Sequence, residues 1–164
     1  MQKAWKKKSA VYVPFVVLFL VELWIHKGIV PDFGDHLWFK EVACSEGFSF
    51  LTWLHQRSME WSSRTAIELL LMITVRAPLY FWRIVDSALI TCVAIFLSKM
   101  AIQKTEDSIY INTITSMLVV TITYTILNSA GWIATTVNYM WPLSFGIMGL
   151  YPCLLYTSPS PRDG

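Results

Sequence analysis

Cysteine is scarce in this chain and poorly placed for chemistry. Cys44, Cys92 and Cys153 are the only three, and none stands at CxxC or Cys/His ligand spacing. A zinc site or a disulfide framework is therefore not expected. The signatures of many soluble enzymes are missing too: the chain has no P-loop, no GxSxG, no GxGxxG and no HExxH. Charge is thin, at 15% of residues with a net charge of +2, and no basic patch suited to nucleic acid occurs. What remains is apolar. Hydrophobic residues make up 55% of the chain, with eight tryptophans and a mean hydropathy of +0.49. Soluble domains lie nearer about 45–50%. The apolar residues also gather in blocks approaching the roughly 20 residues that cross about 30 Å of hydrocarbon.

These blocks set the expected architecture. Ala10–Ile25 is a short first membrane segment, with Pro14 near its start and Glu22 interrupting it. A cleaved signal peptide is the rival reading, but no small-x-small site follows. Glu22 is either an intramembrane functional group or a wet residue at the outer headgroups. Leu79–Ile102 and Ile109–Leu127 are further spans, the second rich in threonine, and Trp141-Pro142 opens a fourth apolar run. Thr65–Val75 reaches only about 18 Å, too short to cross. It reads as a separate helix, or as one kinked at Pro78 into the next block. The fold class is thus all-α, a polytopic transmembrane bundle of about three to four membrane helices. Lys3, Lys6, Lys7 and Lys8 precede the first block, while Lys99 and Lys104 end the second span. The positive-inside rule then makes the N-terminus cytoplasmic and the protein a multi-pass component of the cytoplasmic membrane. Gln103–Ser108 becomes a cytoplasmic loop, and Asn128–Met140 a short outer one.

Pro31–Arg64 is the one long polar interval and the first outer loop. Its acids (Asp32, Asp35, Glu41, Glu46, Glu60) outnumber its bases (Lys40, Arg57, Arg64), and it holds Trp38, Trp53 and Trp61. A helix is expected from Asp35, with that residue as N-cap, and a second over Phe50–Arg57. Aromatic-rich amphipathic pieces of this kind suit a membrane surface. Asp32, Asp35 and His36 form a compact cluster. Its carboxylates can act as a general base, hold a divalent cation, or cap and solvate the helix start; cation binding is not the favoured reading. Arg64 can meet a phosphate or pair with Glu68 four residues on. Arg83 and Asp86 have the spacing of an ion pair. Trp61, Trp132 and Trp141 serve either as interfacial anchors or as stacking platforms for sugars.

The order of parts resembles the membrane glycosyltransferases of the GT-C class. In these a first helix leads to a large outer loop with an acidic residue near its start. The phrases Phe33–Phe39 (FGDHLWF), Trp61–Arg64 (WSSR) and Asn138–Leu143 (NYMWPL) also resemble an uncharacterised family of polytopic bacterial membrane proteins. That family often carries paired aspartates where this chain has Asp35-His36, a departure that puts a two-carboxylate or metal mechanism in doubt. The resemblance implies transfer of a sugar from a polyprenyl-phosphate donor to an extracytoplasmic glycan or lipid acceptor, with no cofactor. Asp35, and secondarily Asp32, would be catalytic. His36, Arg64, Trp61, Asn138 and Tyr139 would bind substrate. The alternative is a non-catalytic membrane protein such as a transporter or flippase component. A transporter should gather ionisable groups and broken helices at the membrane midplane.

The last stretch breaks from the rest. Cys153–Asp163, CLLYTSPSPRD, back-translates without strain to the transposon-end adapter of sequencing libraries, and Pro152 shares a codon position with it. A Pro/Ser-rich disordered terminus is the alternative. The expectation is that residues 1–152 are the N-terminal part of one membrane domain whose reading frame continues. Residues 153–164 are then an irregular artefact packed on nothing.

Overall fold

A computed structural model describes residues 10–31, 34–60, 64–101, 108–126 and 131–157, and among these every regular element is helical. The apolar block after Pro14 gives α1 (Val13–Gly28), with proline in its first turn, where the missing N–H costs nothing. The polar interval folds into α2 (Asp35–Ala43) and α3 (Phe50–Glu60). Next come α4 (Thr65–Arg76), α5 (Leu79–Ala101) and α6 (Ser108–Ile126). Then α7 (Trp132–Thr135), a π-helical turn (Thr136–Met140) and α8 (Trp141–Thr157) follow without a break.

Two packed cores divide the work. Phe15 and Leu18 of α1, Ile90, Val93 and Ala94 of α5, Val119 of α6 and Met140 hold the long helices together. Phe39, Ala43, Trp53, Leu71, Met72, Trp82, Ile133, Val137 and Trp141 form the second core, which pins α2, α3 and α4 onto the start of the 132–157 helix. Residues of the 35–60 and 132–141 segments thus meet in this second core. On α6, the Thr113 and Thr115 hydroxyls turn back on their own helix: Thr113 donates to the Ile109 carbonyl and Thr115 to that of Ile111. Ser98 and Asn112 join α5 to α6 through a side-chain hydrogen bond.

The break after α4 is one of the two outcomes expected there, while later boundaries depart from expectation. α4 is a separate helix, because Ala77 is extended (φ −70°, ψ 157°), as a residue before proline should be. Residues 132–140, expected as a loop, are helical, and Ile133, Ala134 and Val137 are buried there. α8 runs on through Thr157, so Cys153–Thr157 is helical where irregular chain was expected. The side chains of Cys153, Leu154, Leu155 and Tyr156 are nonetheless exposed, Tyr156 at 91%. A helix bonds its backbone internally and can extend past the last packed residue. Ser158–Gly164 and residues 103–107 lie outside the described residues.

The expected number of spans needs correcting. Among the described residues only α5, with 23 residues, is long and apolar enough to cross a membrane. α1 and α8 have 16 and 17 residues, so they rise only about 24–26 Å against the roughly 30 Å of hydrocarbon. Apolar side chains nevertheless face outward. On α1, Val13, Val16, Val17, Leu20 and Trp24 are exposed at helical spacing, as are Ile114, Met117 and Leu118 on α6.

Candidate functional site

Gly34 has φ 69°, a backbone state that costs a glycine little, and it starts α2 without any side-chain cap. Asp35 is therefore the first helical residue rather than the N-cap, and its carboxylate is not spent on capping. From there Asp35, Trp38 and Phe39 lie on one face of α2, at the i, i+3, i+4 spacing that stacks side chains. Gly131 (φ 95°) likewise starts α7, which leads into Thr135, Asn138 and Tyr139. Arg64 precedes α4, and Glu68 stands one turn into it. These residues line one cavity of about 450 Å³, together with Arg57 and Ala134.

Electrostatically the cavity is mixed. Arg57 Nη2 donates to Glu68 Oε1 at 3.1 Å, and Glu68 is 1% exposed. The Arg57 guanidinium also lies 5.3 Å from the Trp53 ring centroid and 5.9 Å from that of Trp38, within cation–π range. Glu68 thus pairs with Arg57, which reaches back from α3. The expected i, i+4 neighbour, Arg64, sits at the cavity wall. Asp35 is exposed, so it meets the cavity at the mouth.

Four residues singled out from the sequence, Asp35, Arg64, Asn138 and Tyr139, come together here. His36 does not join them. Consecutive helical residues point about 100° apart, and His36 is buried on another face, against a cavity of about 280 Å³ with Lys40, Thr74 and Arg83. Asp32 and Trp61 lie outside the described residues. Among the described residues no group of three His, Cys, Asp or Glu side chains could hold a metal ion. Trp38, Arg57 and Glu68 are cavity residues that were not proposed from the sequence. The signal for Arg57 and Glu68 was their burial beside each other across a turn, which no local spacing reveals.

A second polar cluster lies between the helices, and it corrects three expectations. His26 Nδ1 donates to the Glu22 carbonyl at 2.7 Å, and Nε2 stands 2.8 Å from Asp86 Oδ2. Trp141 Nε1 donates to Asp86 Oδ1 at 2.6 Å. A carbonyl can only accept, so Nδ1 carries a proton. One further proton is then shared between Nε2 and the carboxylate, as imidazolium with carboxylate or as a neutral pair. Trp82 closes the cluster, its indole donating to Thr136 Oγ1 at 2.8 Å and its ring 5.0 Å from His26. Glu22 is therefore buried and not wet, its Oε2 3.7 Å from His26 Nδ1. Asp86 is fully buried rather than paired at a rim with Arg83, whose Nη2 donates to the Ile29 carbonyl instead. Trp141 is a buried donor to Asp86, not an interfacial anchor.

No protein-family model, curated protein or solved structure matches this chain.

Proposed function

We propose that the cavity between α2, α4 and the 132–140 segment is the donor site of a GT-C-like membrane glycosyltransferase. Such an enzyme passes a sugar from a polyprenyl-phosphate donor to a glycan or lipid acceptor on the outer side of the cytoplasmic membrane. The supporting observation is that a carboxylate (Asp35), a guanidinium (Arg64) and the Asn138-Tyr139 pair, far apart in sequence, line one cavity.

Each has a task the chemistry requires. Asp35 takes the proton from an acceptor hydroxyl, whose oxygen attacks the anomeric carbon. The bond from that carbon to the phosphate oxygen breaks, and the electron pair leaves on the phosphate. Arg64 holds this growing charge, a role that suits a planar two-pronged donor. Trp38 offers an apolar face for the sugar ring. The polyprenyl tail runs along lipid-facing side chains such as those exposed on α1 and α6. Asp32 and Trp61 would serve as secondary acid and binding group.

The test uses the chain in lipid nanodiscs with a polyprenyl-phosphate hexose. Arg64→Ala should weaken binding by about tenfold or more, the worth of one charge-assisted contact. Asp35→Asn should bind the donor yet lose transfer. Donor affinity unchanged in Arg64→Ala would remove the phosphate assignment. If Asp35→Asn kept transfer while Glu22→Gln lost it, the base would be Glu22.

One observation favours the carrier alternative. Glu22, His26 and Asp86 are ionisable groups buried between helices, and intramembrane charge often marks a transport path. Loss of lipid or solute movement across vesicles in Glu22→Gln, with donor binding absent in the parent, would select that reading.

A further inference from the structure

We infer that Glu68 and Asn138 read the hydroxyl groups of the transferred sugar, an inference that rests on the donor-site reading above. Glu68 spends one carboxylate oxygen on Arg57. Its other oxygen, Oε2, is buried and meets no hydrogen-bond donor among the described residues. Asn138 donates from Nδ2 to the Ala134 carbonyl at 2.8 Å, which fixes the amide orientation and leaves Oδ1 as an acceptor. That oxygen too is buried and meets no donor among the described residues. Both residues line the same cavity.

Two unmet acceptors on residues lining one cavity call for a ligand rich in donors. Charge narrows the class further. Arg57 already balances Glu68, so the pair is neutral and a cationic ligand would gain little from it. Neutral hydroxyls supply donors without adding charge. Trp38 lines the same cavity and gives the flat, apolar surface against which the C–H face of a pyranose packs. The complement is a saccharide with neighbouring hydroxyls, which the two acceptors and the indole lining the cavity can hold. A site that hydrogen-bonds substrate hydroxyls rejects analogues lacking them far more strongly than an apolar pocket rejects a change of size.

The experiment compares two probes on the chain in nanodiscs: bare polyprenyl phosphate, and the same lipid carrying a hexose. In the parent chain the hexose-bearing lipid should bind about tenfold tighter or more. Glu68→Gln keeps an oxygen for Arg57 but places an N–H₂ donor where Oε2 stood. Asn138→Ala removes the other acceptor while favouring the helix. In each variant the ratio of the two affinities should fall toward one, with thermal melting checking that the fold is retained. A parent chain that binds neither lipid overturns the donor-site reading, and this inference with it. Binding both lipids equally overturns the sugar-reading role alone. A ratio that survives both substitutions also overturns it.

Discussion

Asp86 has both carboxylate oxygens engaged, one by His26 and one by Trp141, and no exposed surface at all. Removing one member of such a pair strands the other without water, which typically costs about 3–5 kcal/mol. Asp86→Ala should therefore lower unfolding free energy by about that amount, measured by denaturant titration in micelles. Replacing His26 and Asp86 together with leucine should cost less than the sum of the single changes, because no orphaned charge remains. A loss under about 1 kcal/mol for Asp86→Ala would mean that the cluster is not holding the helices. None of this pairing could be read from local spacing. Arg83 stands three residues before Asp86 and looks like its partner, but the true partners lie 60 and 55 residues away in sequence. Asp35 and Arg64 stood out in the sequence because each is a charged residue close to an apolar block. Glu68 was legible only as a surface pair, since the burial that distinguishes it comes from α3 folding over it.

The long apolar helices followed directly from composition, and Pro78 announced the break between α4 and α5. Residues 132–140 were harder, since a short mixed sequence with threonine and asparagine resembles a loop until its buried face is known. Gly131 allows that segment to begin where it does. A φ of 95° with ψ of 134° lies where only glycine is comfortable. Gly131→Ala should cost about 1–3 kcal/mol and should loosen Asn138 and Tyr139, weakening donor-lipid binding beyond what the lost stability explains. A variant as stable as the parent, judged by thermal melting, would argue that the segment can start elsewhere. The opposite lesson comes from α8. Its sequence past Pro152 resembles an adapter, yet the helix continues, because main-chain bonds need no tertiary partner.

For the whole molecule, two cores share the 132–157 helix: one joins the long helices and the other supports the cavity. If the proposed orientation holds, the α2–α3 region lies outside the cell. Native Cys44 is exposed, so in a Cys92→Ala, Cys153→Ser background it should react with an impermeant maleimide on intact cells. A cysteine placed at Ser108 should react only after permeabilisation. The reverse pattern would turn the bundle over and deny the cavity its external acceptor. The π-helical turn also has a consequence for how the chain tolerates change in length. Its wider turn, closed by the Trp141 N–H reaching the Thr136 carbonyl, accommodates one residue more than an α-helical turn. Thr135, Asn138 and Tyr139 face the cavity at or before that extra residue, while Trp141 meets Asp86 just after it. The turn therefore sets the phase between two polar sites on one rod. Deleting a single residue there would leave a straighter helix that could aim correctly at the cavity or at Asp86, but not at both.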